Sequence, residues 1–126
     1  MDVTFYYCEH CGNVAIKPFD SGVSMECCGD EMEALVANTE DAALEKHVPV
    51  ITIDAGKVHV DVGSVPHPML DEHYITFVCL VTEKGYQIAP LKPADQPSAD
   101  FAVAEDDKVL KAYEFCNIHG LWVAEA

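Results

Sequence analysis

The chain has 126 residues, half of them hydrophobic, which is enough for one ordinary domain or for a small and a larger unit. Its 22 acidic and 7 basic side chains give a formal net charge of −15. This charge argues against nucleic-acid binding, which needs a basic surface, and against contact with anionic membranes. No apolar run approaches the roughly 20 residues that span a bilayer, and no secretory leader is visible, so we expect a cytoplasmic protein without a membrane segment.

The first part of the chain carries four of the six cysteines at spacings that are typical of a metal site. Strands are predicted over residues 3–7 and 14–19, with a turn at residues 20–22. About 36 residues bury too little apolar surface to fold alone, so a stabilising metal is expected. The candidate ligands are Cys8, Cys11, Cys27 and Cys28.

The adjacent pair Cys27-Cys28 is unusual, because a standard zinc ribbon repeats a Cys-x-x-Cys turn at both ends of its site. Two neighbouring ligands cannot form that turn and should distort the tetrahedron. Gly12 permits the positive φ that the first turn needs. A structural zinc site and a disulfide between the adjacent cysteines are the alternatives, and His10 is interpreted as a solvated side chain.

The rest of the chain is dominated by strand patterns. Asn38 or Thr39 can cap a short helix over residues 41–44, and we place the domain boundary there, with units 1–37 and 38–126. Residues 57–62 alternate cleanly, with Val58 directed inward and His59 outward. Strands are predicted over residues 48–54, 57–62, 73–81, 85–91, 101–104, 109–115 and 121–124. This succession of short strands and turns favours an antiparallel β-sandwich.

Imidazoles and one thiol form a second candidate metal site. Cys116 and His119 are three residues apart in a turn that ends at Gly120, a spacing that suits two ligands of one metal. His67 lies between two prolines, which restrict the backbone on both sides. Five donors exceed the four that zinc prefers, so the set favours a redox metal such as iron. The candidate ligands are His47, His67, His73, Cys116 and His119.

These motifs together resemble desulfoferrodoxin, the two-iron form of superoxide reductase. The adjacent cysteines resemble those of the small desulforedoxin unit. The sequences Glu-Lys-His-Val-Pro at 45–49, His-Pro-Met at 67–69, His-Tyr at 73–74 and Cys-Asn-Ile-His-Gly at 116–120 match the catalytic part. The resemblance covers essentially the entire chain, and no ligand position is substituted.

The resemblance implies an all-β chain, with a desulforedoxin-like unit followed by an immunoglobulin-like sandwich. It implies two irons, one held by four cysteines and one by four histidines and a cysteine. The implied reaction is one-electron reduction of superoxide to hydrogen peroxide, with Lys46 attracting the anion and Glu45 occupying the open position in the oxidised state. It also implies a homodimer and a rubredoxin-like electron donor. The alternatives are a non-catalytic zinc-containing interaction protein, an electron-transfer protein and a superoxide dismutase.

Overall fold

The computed structural model describes residues 3–39 and 46–126, and every regular element in these ranges is a β-strand. The chain divides into two compact units, of which the first ends at Val36 and the second begins at Ala37. The helix predicted over residues 41–44 lies outside the described residues. No helix in the described ranges has the length and apolar character needed to cross a membrane.

The first unit consists of very short strands around a small interior. A three-stranded antiparallel sheet has the order β2-β1-β5, and β3 pairs with β4 in a separate hairpin. Among residues 3–36 only Phe5 and Cys8 are buried, so the unit has almost no apolar core. Its strands are β1 (Tyr6–Tyr7), β2 (Val14–Ala15), β3 (Glu26–Cys27), β4 (Asp30–Glu31) and β5 (Glu33–Ala34).

The second unit is the predicted antiparallel sandwich. One sheet has the order β10-β7-β6 and the other has the order β12-β11-β8-β9. The all-β fold class, with a small cysteine-rich unit followed by a sandwich, is therefore confirmed. The strands are β6 (Pro49–Asp54), β7 (Lys57–Val62), β8 (Ile75–Thr82), β9 (Gly85–Pro90), β10 (Ser98–Ala102), β11 (Val109–Cys116) and β12 (Gly120–Glu125).

Alternation along the strands builds the core between the two sheets. Val58, Val60 and Val62 of β7 are completely buried, as their spacing predicts, and they join a cluster with β8, β10 and β11. Strands β8 and β11 are buried over most of their length, because both are interior strands of their sheet. Cys79 lies within β8, and burial raises the pKa of its thiol to about 12, in agreement with an inert core cysteine.

Three strand predictions need correction, and the first is the strand predicted over residues 3–7, which contains only Tyr6–Tyr7. The strand predicted at 101–104 is β10, which runs from Ser98 to Ala102, because Ser98 already pairs with Asp61 of β7. Its inward residues are Ala99 and Phe101, and alanine is too weak a strand former to reveal this alternation in the sequence. The predicted strand 14–19 is only two residues long.

His59 lies on the outer face of the sandwich, as predicted, but it is not simply solvated. Its Nδ1 is 2.6 Å from Asp100 Oδ1 on the neighbouring strand, and its Nε2 is 3.1 Å from Asp61 Oδ1. The hydrogen bond with Asp100 raises the pKa of His59, and Asp61 acts in the same direction against partial burial. The charged imidazole therefore joins β7 to β10.

This raised pKa predicts a pH-dependent contribution to folding. Stability from protonated His59 is fully present below the unfolded pKa near 6.5 and is lost as pH rises through the higher folded value. We expect His59→Gln to destabilise the protein by about 0.5 kcal/mol at about pH 5.5, a size typical of exposed ion pairs, and by less at about pH 8.5.

Urea unfolding at both pH values, with matched metal content, measures the difference. Asp100→Asn should remove part of the same pH dependence. A His59→Gln variant whose stability differs from the parent equally at both pH values would contradict the assignment.

Candidate metal centres

Strand register brings the five predicted donors of the second unit to one end of the sandwich. Pro49 at the start of β6 faces Val62 at the end of β7, and Cys116 at the end of β11 faces both Ile75 and Gly120. The loops outside these pairs carry the histidines. His47 precedes β6, His67 and His73 lie between β7 and β8, and His119 lies between β11 and β12.

The four imidazoles form a closed ring. Neighbouring ring centroids are 4.7–5.0 Å apart, with interplanar angles of 67–83°, for the pairs 47–67, 67–73, 73–119 and 119–47. Each ring therefore stands edge-on to its neighbours. His47 and His67 are buried, His73 is half-buried and His119 is exposed, so one side of the ring is accessible to solvent.

Ring nitrogens in this cage lack the partners that buried polar atoms normally have. Nε2 of His67 and of His73 are both buried, and neither has a hydrogen-bond partner within the part of the chain that the structure describes. His67 Nδ1 lies 2.7 Å from the carbonyl oxygen of Pro68 and must donate its proton there. A neutral His67 therefore presents a free lone pair at Nε2, as a metal ligand requires.

Burial keeps these imidazoles neutral. It lowers the pKa of His67 to about 4, and the neighbouring imidazoles act in the same direction. Burial also lowers the pKa of His73, followed by the repulsion of His119 and His47. Two imidazoles that remain unprotonated at neutral pH are ready to bind a metal without first losing a proton.

Cys116 is completely buried, and its sulfur lies within 4.8 Å of a donor nitrogen of each of the four imidazoles. Burial raises the pKa of its thiol, while backbone N–H groups of His119 and Ile118 oppose this by favouring the thiolate. The N–H of His119 is 3.4 Å from Sγ, and Sγ is 3.8 Å from His119 Nδ1. The sulfur is thus held by the turn that carries its neighbouring ligand.

The separation of one donor pair matches two nitrogens that bind a metal at a right angle. His47 Nε2 and His119 Nδ1 are 3.0 Å apart. Nitrogens bound at about 2.1 Å lie roughly 3.0 Å apart at a right angle and roughly 3.4 Å apart at a tetrahedral angle. All five donor atoms lie within 4.8 Å of one another. The residues present therefore fit one metal that would be held by the four imidazoles and the thiolate.

Trp122 supports this cage and was missed in the sequence analysis. Its ring stacks on that of His47, with centroids 4.8 Å apart and an interplanar angle of 17°. Its Nε1–H donates to the carbonyl oxygen of His119 at 3.1 Å. One side chain thus contacts two histidines of the cage. The sequence offers one indication of this role, because Trp122 is the only tryptophan and lies three residues after the candidate ligand His119.

Lys46 and Glu45 are the two other residues predicted at this site. Lys46 is half-buried and precedes His47 in the chain. Its charge lowers the pKa of His73, but by less than burial and the charges of His119 and His47 do. Glu45 lies outside the described residues.

The four predicted cysteines of the first unit also converge, with sulfur atoms within 4.8 Å of one another. Sγ of Cys27 lies 3.6 Å from that of Cys11 and 3.9 Å from that of Cys28. Ligands bound at about 2.3 Å lie roughly 3.8 Å apart in a tetrahedron, so these distances fit one metal. The adjacent sulfurs are nearly twice as far apart as the roughly 2.0 Å of a disulfide. His10 Nε2 bonds to Asp30 instead.

Two backbone features explain how this site forms. Gly12 has the predicted positive φ, +83°, and its N–H donates to the carbonyl oxygen of Cys8. Cys28 and Gly29 have φ values of +55° and +84°, so two successive left-handed residues follow Cys27. This conformation costs Cys28 about 1 kcal/mol, which metal binding can offset. The N–H of Cys11 lowers the pKa of Cys8 to about 6, favouring its thiolate.

Comparison with known proteins identifies the family of this chain. The family model described as Desulfoferrodoxin matches residues 39–125. The desulfoferrodoxin of Nitratidesulfovibrio vulgaris is 44% identical over 121 residues, which cover 96% of this chain and 94% of the relative.

Two solved structures extend this comparison. The superoxide reductase of Treponema pallidum has a TM-score of 0.86 at 39% identity and 98% coverage of both chains. A superoxide reductase (1Fe-SOR) from Giardia intestinalis has a TM-score of 0.56 at 30% identity, covering 65% of this chain and 97% of its own. On the family match, the sequence identity and the fold, this chain belongs to the desulfoferrodoxin family.

Proposed function

We propose that this protein is a superoxide reductase. The reaction adds one electron and two protons to superoxide and produces hydrogen peroxide. The observation that carries the proposal is the closed ring of four imidazoles next to one buried thiol, with all five donor atoms within 4.8 Å of one another. The similarity to superoxide reductases supports the same reaction.

The proposed ligands of the active metal are the five donors of the cage, and the metal is iron. When bound, ferrous iron supplies the electron and an open coordination position for a small anion. The remaining roles belong to the chain. With a metal bound, the Cys116 thiolate would donate electron density to it. His119 and His73 at the rim leave access for superoxide, and for the water that supplies the protons.

Lys46 is proposed to attract the substrate. The protein carries a formal charge of −15 and repels an anion at long range, so a local cation is needed at the cage. Glu45, the preceding residue, is proposed to close the open position in the oxidised state. The four cysteines of the first unit are proposed to hold a second iron, and the electron donor is proposed to be a rubredoxin-like protein acting on a homodimer.

Metal content and stoichiometry test the reaction. We expect two irons per chain, one electron of an added donor consumed per superoxide, and one peroxide formed per superoxide. Elemental analysis, a visible spectrum and a donor-coupled assay measure these quantities. A dismutase consumes no donor and forms half as much peroxide. Zinc alone in both centres, in protein from its native host, would favour a non-catalytic interaction protein.

The two centres should separate by mutation. Cys28→Ser should lower iron by one per chain, yet pre-reduced protein should keep most of its reactivity with superoxide, because all five cage donors lie in the second unit. Cys116→Ser should instead abolish reactivity. The one-iron relative from Giardia intestinalis, whose match spans 65% of this chain, supports this independence.

Stopped-flow kinetics with iron analysis of each variant provides the measurement. Loss of superoxide reactivity in folded, reduced Cys28→Ser protein that still binds the second iron would show that the chemistry has been assigned to the wrong centre.

Lys46→Ala should slow the bimolecular reaction with superoxide about tenfold, equivalent to roughly 1.4 kcal/mol. Lys46→Arg should preserve much of the rate, because attraction at a distance depends on charge more than on shape. Lys57→Ala is the matched control. Lys57 is exposed at the start of β7, and Val62 at the end of this strand lies toward the cage. At about 0.15 M salt the screening length is roughly 8 Å, so a distant charge has little effect.

Pulse radiolysis at several salt concentrations measures these rates, with iron occupancy determined for each variant. A Lys46→Ala protein that binds both irons and reacts as fast as the parent at low salt would make Lys46 a bystander.

A further inference from the structure

The β8–β11 ladder ends where the cage begins. Ile75 is the first residue of β8 and pairs with Cys116, the last residue of β11, next to an irregularity in the register. Beyond this pair, the described residues contain no regular strand pairing between the segment that carries His73 and the turn that carries Cys116 and His119. Yet the fit to one metal requires these donors to keep fixed separations, so another contact must continue the connection.

Asn117 makes that contact. Its backbone N–H donates to the carbonyl oxygen of Tyr74 at 3.2 Å. Its side-chain Oδ1 accepts from the N–H of Tyr74 at 2.9 Å, and its Nδ2–H donates to the carbonyl oxygen of Glu72 at 3.1 Å. Glu72 and Tyr74 are the residues on either side of His73. One side-chain amide therefore holds both peptide groups that flank this histidine.

The chemistry of the side chain suits this position. An amide offers one acceptor and one donor on separate atoms, and both are used on backbone groups. Alanine offers neither, and ionised aspartate offers only acceptors, so its oxygen would face the Glu72 carbonyl without a proton between them. Asn117 is exposed, so water can replace its bonds when the chain unfolds, and its loss should affect global stability little.

We propose that Asn117 is a positioning residue of the His/Cys centre. Through the residues beside it, Asn117 fixes His73 relative to Cys116 and His119 and so sets the geometry in which the cage receives its metal. The inference rests on the proposed metal site and extends it to a residue that does not itself contact the metal. Groups that orient ligands in this way typically contribute 10–100-fold in metal affinity.

The test compares Asn117→Ala and Asn117→Asp with Gln87→Ala in the full chain. Gln87 is the matched control, because its exposed side-chain amide also donates to a backbone carbonyl, that of Ala102. Gln87 lies on β9, and this hydrogen bond does not involve a loop that carries a candidate ligand. Iron retention is measured by competition with a chelator. The absorption of the His/Cys centre is identified as the part of the visible spectrum that is lost in Cys116→Ser, and iron retention is followed through that absorption. Thermal unfolding measures global stability.

We expect Asn117→Ala to retain iron at the His/Cys centre 10–100-fold less tightly, with a shifted or broadened absorption band and nearly parent-like unfolding. Gln87→Ala should match the parent in affinity and spectrum. Parent-like affinity and spectrum in Asn117→Ala would overturn the inference.

If Asn117→Ala does not fold, the Asn117→Asp variant provides the test. Weaker retention supports the inference and parent-like retention overturns it. Absence of iron from this centre in the parent would instead overturn the proposed function.

Discussion

The register of β11 between β8 and β12 is the constraint on which the cage depends. At its last residue, Cys116, this central strand faces the first residue of each neighbour, Ile75 and Gly120. The ends of three strands thus meet around one buried sulfur. A slip of one residue would direct every side chain of a strand to the opposite face, so core packing holds the donors in place. The valines of β7 contribute to function in this indirect way.

Burial then gives these donors their chemistry. Imidazoles removed from water stay neutral, and two of them keep buried nitrogens without hydrogen-bond partners within the described ranges, which is costly unless a metal binds. His119 is exposed, so the cage has a different environment on that side. The cage thus combines buried donors suited to holding a metal with one imidazole that solvent can reach.

The first unit achieves its fold by other means. Its described residues bury only two side chains, too few to offset chain entropy, and its cysteine sulfurs lie at the separations of a metal tetrahedron. The strain of a left-handed Cys28 is acceptable where a metal holds the sulfur. Such a unit is expected to depend on a metal for its folding, whereas the sandwich has a core of its own.

The sequence by itself determined the fold class and the two groups of candidate metal donors that converge in the structure, because strand alternation, cysteine spacing and the Cys-Asn-x-His-Gly motif are local patterns. It also indicated the inward valines of β7. Strand ends such as that of β10 were decided by pairing with Asp61, a partner distant in the chain. Tertiary structure alone decided the order of imidazoles around the ring, the burial of Nε2 of His67 and of His73, and the contacts of Trp122. These features depend on which backbone and side-chain groups come into contact when distant segments pack. The spacing of residues along the chain does not reveal those contacts.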